Sequence, residues 1–227
     1  MAKNSGDATS LTTAVVIPAH NESERIGRVI RAAQKHVKNI IVVDDGSQDD
    51  TAHQATEAGA TVLRHKVNLG KGAALKTGCD YALQQGAQQF VVMDADGQHN
   101  PEKIPEFLAA LQQHDIALGA RTVPESMPLV MLVGNKVINR TLSTLYKINI
   151  TDSQCGYRSF TAAAYQRLRW EAQNYYVETE MIIKAGKNRL KYRQIPIETI
   201  YSDKYKGTTV VDGLMIVAKM IGWRLFK

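Results

Sequence analysis

The sequence has little cysteine, no long apolar run and no signal-peptide core, and each absence narrows the class of protein. Its 227 residues contain two cysteines, Cys79 and Cys155, which lie far apart and share no metal-ligand spacing. This excludes a disulfide framework and a typical zinc site, and it favours a reducing compartment. No apolar stretch reaches the roughly 20 residues that span a bilayer. We therefore expect a cytoplasmic protein, either soluble or peripheral on the cytoplasmic face of a membrane.

Common nucleotide-binding fingerprints are missing as well. The first strand-to-helix turn lacks Gly-x-Gly-x-x-Gly, and no Walker A lysine loop occurs, which argues against NAD chemistry and P-loop ATPase chemistry. The net charge is +6, and much of the basic surplus lies late in the chain. A basic surface suits nucleic acid, anionic lipid or a phosphorylated substrate. Because no aromatic-rich RNA signature or recognition helix is present, we expect no nucleic-acid partner.

The first half of the chain alternates short β-branched runs with helical patterns. Strands are predicted at residues 14–17, 40–43, 61–63, 90–93 and 116–118, and helices at 22–36, 50–58, 71–85 and from Pro101. This order predicts an α/β fold, a mostly parallel, Rossmann-like sheet with helices on both faces. In such sheets ligands bind beyond the carboxyl ends of the strands.

The second half changes character. Its patterns predict helices at 129–146 and 178–185, a strand at 192–200 and a polar loop at 201–209, followed by an amphipathic helix. We divide the chain into a flexible tail at 1–12, a catalytic domain at 13–210 and a C-terminal amphipathic helix at 211–227.

Acidic residues follow three of the predicted strands, and Glu22 comes after the first. Asp44 and Asp45 come after the second strand, whereas Asp94 and Asp96 come one residue apart after the fourth. Two carboxylates at the end of a buried strand suit a divalent cation that meets a pyrophosphate. Lys71 follows Gly70 at a helix start, where it either meets a phosphate or is a solvated lysine in a tight turn.

Four motifs occur in an order typical of inverting family 2 glycosyltransferases with a GT-A fold: Ile17-Pro18-Ala19-His20-Asn21-Glu22, Val43-Asp44-Asp45-Gly46-Ser47, Asn68-Leu69-Gly70-Lys71-Gly72 and Asp94-Ala95-Asp96-Gly97-Gln98. The chain resembles the branch of that family that contains dolichyl-phosphate mannosyltransferases and other polyprenyl-phosphate sugar transferases. Three further motifs extend the resemblance: Gly119-Ala120-Arg121, Asp152-Ser153-Gln154-Cys155-Gly156-Tyr157-Arg158 and Glu178-Thr179-Glu180-Met181.

The resemblance implies a role for individual residues. The nucleotide pocket would contain Pro18, Ala19, Asn21, Glu22, Asp44, Asp45, Lys71, Asp94 and Ala95. Mg²⁺ or Mn²⁺ would be held by Asp94, Asp96 and Gln98 against the donor pyrophosphate. The catalytic group would be Asp96, Arg121 and Asp152, and the acceptor phosphate would meet Arg121, Lys204 and Lys206.

The resemblance also implies the reaction, with several alternatives open. We expect metal-dependent, inverting transfer of one sugar, mannose or glucose, from a GDP- or UDP-linked donor to a dolichyl or undecaprenyl phosphate. The alternatives are the same donor chemistry with a glycan, protein or other lipid acceptor, a nucleotidyltransferase, and a non-catalytic nucleotide-sugar binding module. The C-terminal helix would rest on a membrane surface, pack on the core or join two subunits of a homo-oligomer.

Overall fold

The structure, a computed structural model, describes residues 12–122, 129–174 and 176–198, with the backbone alone for 129–135. The strands among them are β1 Thr13–Ala19, β2 Ile40–Asp44, β3 Thr61–Arg64, β4 Gln89–Val92, β5 Ile116–Arg121, β6 Arg158–Thr161 and β7 Tyr192–Ile197. The α-helices are α1 Ser23–Ala33, α2 Thr51–Glu57, α3 Lys71–Gln84, α4 Ile104–Ala110, α5 Leu129–Tyr146, α6 Ala162–Leu168 and α7 Val177–Lys187. A short 3₁₀ helix, Pro101–Lys103, precedes α4.

These strands form one sheet in the order β3-β2-β1-β4-β6-β5-β7. The pairs β1–β2, β1–β4, β2–β3 and β5–β7 are parallel, whereas β6 runs antiparallel to both β4 and β5. Six strands therefore end at one edge of the sheet, and β6 alone runs the other way. The predicted mostly parallel sheet is confirmed, and its carboxyl edge is where a ligand is expected.

Two apolar clusters cover the two faces of the sheet. On β1, Ala14 and Val16 belong to one cluster, and Val15 and Ile17 belong to the other. Helix α3 and helices α5 to α7 pack on the first face, and α1 and α4 pack on the second. Strands that are buried on both faces need apolar residues at every position, which explains the continuous runs in β1, β2 and β4.

Two elements of the second half were not predicted. Strand β6 has four residues, begins with the fully buried Arg158 and contains the buried Ser159. Such a segment shows neither an apolar run nor an alternation, because its position between β4 and β5 is set by tertiary contacts. Helix α6 follows it directly and is capped by Thr161, whose hydroxyl accepts the Ala164 N–H at 3.1 Å.

The other elements predicted within the described part of the second half are present, and two of the three have shifted ends. Helix α5 has the predicted bounds, whereas α7 is longer than predicted and β7 ends at Ile197. The expected tail at 1–12 lies outside the described residues except for Thr12, and the loop at 201–209 and the helix at 211–227 lie outside them entirely. Among the helices that are described, none is long and apolar enough to span a bilayer.

Candidate active site

The acidic segments predicted to meet do lie on neighbouring strands. Strand β1 lies between β2 and β4, with Ala19 opposite Asp44 and Val16 opposite Val92. All three strands run in the same direction, so the residues that follow them share the carboxyl edge of the sheet. Asp44, Asp94 and the Pro18–Glu22 segment therefore border one site.

The segment after β1 is tied to the segment after β2 by hydrogen bonds. Asn21 has a left-handed backbone conformation with φ of 56°, which asparagine tolerates better than most residues. Its N–H donates to the Ser47 hydroxyl at 2.9 Å, and its side-chain oxygen accepts the Gln48 N–H at 2.9 Å. The Glu22 N–H donates to the Thr51 hydroxyl at 2.8 Å. These bonds fix the two segments as one wall of the site.

Asp44 at the end of β2 keeps one oxygen without a hydrogen bond. Its Oδ1 accepts the Ser47 N–H at 3.0 Å, and the side chain is fully buried. Arg64 Nε lies 3.0 Å from Oδ2, but no aligned hydrogen bond joins them, and Oδ2 finds no other partner among the described residues. Because an unsatisfied buried carboxylate oxygen is costly, Oδ2 is the natural acceptor for a ligand N–H or hydroxyl.

Asp45 is engaged inside the protein. Its carboxylate accepts the N–H groups of Leu69 at 2.9 Å and Gly70 at 2.7 Å, and it lies 2.7 Å from His65 Nδ1. Asp45 thus holds the chain that connects β3 to α3. Its nucleotide-binding role stays a prediction.

Lys71 and Asp94 form the centre of the site together with Glu178 of α7. The Lys71 ammonium lies 2.6 Å from Asp94 Oδ1 and 2.8 Å from Glu178 Oε1, and only 15% of its side chain is exposed. Burial alone would lower the pKa of Lys71, but the two carboxylates raise it well above its usual range. Burial alone would raise the pKa of Asp94, whereas Lys71 lowers it to about 2. Lys71 and Asp94 are therefore both charged near neutral pH, and Lys71 is not a solvated turn lysine.

The turn after β4 presents Asp96 differently from Asp94. Asp96 is partly exposed, and its Oδ1 accepts the Gln98 N–H at 2.9 Å. Gly97 supplies the left-handed conformation of the turn, with φ of 76°. His99 is buried, accepts the Asp94 N–H on Nδ1 at 3.1 Å and stacks on Tyr157 with ring centroids 5.0 Å apart. Burial lowers the pKa of His99, so it is a neutral support for the turn.

The predicted metal ligands suit a hard divalent cation. Among the described residues no group of three or more His, Cys, Asp or Glu side chains could hold a metal ion. Mg²⁺ usually binds one or two carboxylates and takes its other oxygens from substrate phosphates and water, so a two-carboxylate set fits it. Lys71 already engages Asp94, which leaves Asp96 as the more available ligand of the two.

Arg121 and Asp152 form a bidentate ion pair near the same edge. Arg121 Nε and Nη2 lie 2.6 and 3.0 Å from the two oxygens of Asp152, and the Arg121 N–H also donates to Oδ2 at 3.1 Å. Burial would raise the pKa of Asp152, but the Arg121 hydrogen bonds lower it. Arg121 ends β5, which runs in the same direction as β4, and its charge also lowers the pKa of Asp94. Lys204 and Lys206 lie outside the described residues.

Three residues support this site through contacts that the sequence does not reveal. A Cβ on Gly156 would lie 2.7 Å from Asp94 Oδ2 and 2.8 Å from Lys71 Nζ, so the ion pair needs glycine there. The buried Arg158 donates to the carbonyls of Ser153, Cys155 and Glu178, which joins the 153–158 segment to α7. Glu178 Oε2 lacks a hydrogen bond among the described residues. The motif resemblance and the acidic first turn of α7 both drew attention to Glu178, but neither indicated its contact with Lys71.

Comparison with known proteins identifies relatives of the chain. Residues 14–169 match the model of the glycosyl transferase family 2. UDP-N-acetylglucosamine–dolichyl-phosphate N-acetylglucosaminyltransferase of Methanococcus voltae is 32% identical, over 94% of this chain and 96% of that protein. Polyprenol monophosphomannose synthase of Mycolicibacterium smegmatis is 31% identical, over 88% of this chain and 81% of that protein.

A solved structure has the same fold. Glucosyl-3-phosphoglycerate synthase from Mycobacterium tuberculosis, in complex with Mn²⁺, UDP and phosphoglyceric acid, matches with a TM-score of 0.76 over 96% of this chain and 80% of that chain. The sequences are 20% identical, so the match concerns the fold. It confirms the predicted GT-A architecture.

Proposed function

This chain belongs to glycosyl transferase family 2 and is a glycosyltransferase of the polyprenyl-phosphate sugar transferase type, and we propose that it transfers one sugar from a nucleoside diphosphate donor to a polyprenyl phosphate with inversion. The observation that carries the proposal is the charged group at the carboxyl edge of the sheet. Lys71 contacts both Asp94 and Glu178 there, Asp96 is partly exposed, and Arg121 ends a strand that runs in the same direction as β4.

The donor half of the site supports a nucleoside diphosphate. Asp44 Oδ2 is a buried acceptor that receives no hydrogen bond from the described residues, which suits an N–H of the base or a hydroxyl of the ribose. Asp94, Asp96 and Gln98 would hold Mg²⁺ or Mn²⁺ against the pyrophosphate. A bound cation there would neutralise the charge that develops on the leaving nucleoside diphosphate. Lys71 adds a buried positive charge beside the same carboxylates.

The acceptor half supports a phosphate nucleophile. A lipid phosphate is already anionic near neutral pH, so the reaction requires no strong general base. His99, the buried histidine beside Asp94, accepts a backbone N–H on Nδ1 and is committed to holding the turn. Arg121, oriented by Asp152, would attract the acceptor phosphate, and Lys204 and Lys206 would extend that positive surface. The carboxylates near the anomeric carbon would stabilise an oxocarbenium-like transition state.

The sugar and the base of the donor form the next part of the proposal. The two named relatives differ in sugar, since one name specifies N-acetylglucosamine and the other mannose. We propose mannose, glucose or N-acetylglucosamine, linked to GDP or UDP. A polyprenyl phosphate resides in a membrane, so the protein would work as a peripheral protein on the cytoplasmic face. We propose that the amphipathic helix predicted at 211–227 would contact that surface.

One assay tests the donor, the acceptor and the metal together. Full-length protein is mixed with vesicles that contain undecaprenyl phosphate, with Mn²⁺, and with radiolabelled GDP-mannose, UDP-glucose or UDP-N-acetylglucosamine in separate reactions. We expect one donor to give labelled lipid that EDTA abolishes, and NMR of the product to show inverted anomeric configuration. Label that reaches only a glycan or protein acceptor would contradict the lipid phosphate. Donor binding without transfer to any acceptor would indicate a binding module.

A further inference from the structure

We propose that Glu180 is a positioning residue of the donor site, which holds the first turn of α3, and with it Lys71, through residues 170–173. This inference rests on the proposed function, because it takes Lys71 as part of the donor site. Among the described residues, no contact joins Glu180 to Lys71 directly. We call residues 170–173 the buttress segment.

The Glu180 carboxylate is committed to the buttress segment. The side chain is buried, and its oxygens accept the Glu171 N–H at 3.0 and 3.1 Å and the Ala172 N–H at 2.7 Å. Lys184, one turn later on α7, lies 3.1 Å from Oε1 and balances the charge. Hydrogen bonds to a buried charge are among the stronger ones in proteins, so this contact fixes the backbone of the segment.

The buttress segment in turn packs against the start of α3. The Trp170 indole N–H donates to the Gly72 carbonyl at 2.8 Å, and the Ala73 N–H donates to the Gln173 carbonyl at 3.1 Å. A Cβ on Gly72 would collide with the Ala172 carbonyl oxygen. The first turn of α3 is therefore in direct backbone contact with the buttress segment. The position of the Lys71 backbone thus depends on the position of that segment.

Helix α7 thus holds Lys71 at two points. Glu178 binds the Lys71 ammonium directly at 2.8 Å, whereas Glu180 acts on the Lys71 backbone through the segment. Residues two apart on a helix point to different sides, so one reaches the site and the other reaches the segment. Replacing Glu180 by glutamine leaves one oxygen acceptor and places an NH₂ group among N–H and ammonium donors, so the segment loses part of its hold.

A structural measurement tests this coupling without any transfer reaction. The buried Lys71 ammonium is observed by NMR in protein labelled with ¹⁵N-lysine, in the wild type, in E180Q and in D115N. Asp115 is the matched control because its carboxylate also accepts a backbone N–H, that of Lys191 at 2.7 Å, but at the opposite edge of the sheet. We expect E180Q to shift or broaden the Lys71 signal and D115N to leave it unchanged. An unchanged signal in folded E180Q would overturn the proposal.

A double-mutant cycle tests the functional consequence. We expect E180Q to lower kcat/KM for the donor by roughly tenfold to a hundredfold, as misplacing one group in a site does. In a K71M background E180Q should cost nothing further, because its effect passes through Lys71. If the losses of kcat/KM in E180Q and K71M multiply in the double variant, the effect of E180Q does not pass through Lys71, and the proposal is contradicted.

A second variant covers the case in which E180Q does not fold. Gly72→Ala pushes on the same segment from the α3 side while Glu180 is intact, and it should shift the Lys71 signal and show the same non-additivity with K71M. An unaltered Lys71 signal in G72A would overturn the proposal. Should no donor be turned over by the wild type, the proposed function fails, and the NMR comparison alone still decides the coupling.

Discussion

The acidic ends of β2 and β4 look alike in the sequence, but the protein uses their carboxylates differently. Asp45 accepts two backbone N–H groups and lies against His65, all from the chain that connects β3 to α3. Asp96 accepts one backbone N–H within its own turn and is partly exposed. The difference teaches that the number of acidic residues at a sheet edge overstates the number of carboxylates that a ligand can reach.

The same contrast separates stability from activity. A hydrogen bond to a charged group contributes about 1.5 to 3 kcal/mol, so the contacts of Asp45 make it a main support of its loop. Asp96 accepts one described hydrogen bond inside the protein, so we expect it to contribute to ligand binding rather than to stability. Substitution of Asp45 should therefore mainly lower stability, whereas substitution of Asp96 should mainly lower activity.

The largest expected effect belongs to Asp96→Asn. Removing the charge takes away the more available carboxylate for the cation, and transfer should fall by about 10²-fold to 10³-fold or more. The melting temperature should stay near that of the wild type, because in the part of the chain that the structure describes only the Gln98 N–H donates to this carboxylate. Transfer assays across a Mn²⁺ titration and a melting curve measure both. Asp50→Asn, an exposed carboxylate at the start of α2, is the control and should change neither quantity.

The substitutions Asp45→Asn and Asp44→Asn compare the two neighbouring carboxylates at the end of β2. Asp45→Asn should lower the free energy of unfolding by about 2 kcal/mol, because an amide cannot accept from all three donors. Asp44→Asn should weaken nucleoside diphosphate binding by about tenfold with a smaller loss of stability, because among the described residues its carboxylate accepts one hydrogen bond, from Ser47, beside an ion pair with the exposed Arg64. Urea denaturation and calorimetric titration give the two numbers. Equal effects at both positions would show that Asp45 also serves the ligand.

The donor half of the molecule could be predicted from sequence because its signals are local. Continuous β-branched runs located β1, β2 and β4, and the parallel arrangement then placed Asp44 and Asp94 at one edge. Strand β6 had no such signal. It lies between β4 and β5, runs antiparallel to both, and is held there by contacts that form only in the folded chain. Its first residue, the buried Arg158, donates to the nearby Cys155 carbonyl and to the Glu178 carbonyl twenty residues later.

The ion pairs of the site were beyond the reach of sequence patterns for the same reason. Lys71 begins α3 and Glu178 lies in α7, and no periodicity relates residues so far apart. Arg121 and Asp152 were each predicted as catalytic, but their mutual bidentate contact was not. Motif resemblance identifies which residues matter, whereas the partner of each residue requires the fold.

Arg121→Lys sharpens the comparison of the donor half with the acceptor half. Lysine keeps the charge but loses the planar fork that binds Asp152, so transfer should fall by roughly tenfold, mainly through a higher KM for the lipid phosphate. The KM for the donor should change less. Arg169→Lys is the control, because Arg169 also pairs with an aspartate, Asp80, at a partly exposed surface position. A loss confined to the donor KM would move Arg121 to the nucleotide half.

The last comparison concerns the pH dependence of stability that Asp94 creates. Lys71 lowers the pKa of Asp94 to about 2 in the folded protein, whereas an unfolded aspartate titrates near 3.9. A depressed folded pKa contributes stability above the unfolded pKa, and that stability is lost as the pH falls through the folded pKa. Between about pH 4 and pH 2 the free energy of unfolding should therefore fall by on the order of 2 kcal/mol from this group.

Urea denaturation at steps from pH 5 to pH 2 measures this slope, and Asp94→Asn should flatten it. Asp152, whose pKa Arg121 also lowers, contributes in the same direction and keeps part of the slope in the variant. Lys71 stays protonated throughout, since its pKa is raised, and so adds no slope of its own. An Asp94→Asn variant with the full wild-type slope would mean that Lys71 does not hold Asp94 in solution. The contrast between the β2 and β4 carboxylates would then rest on Asp96 alone.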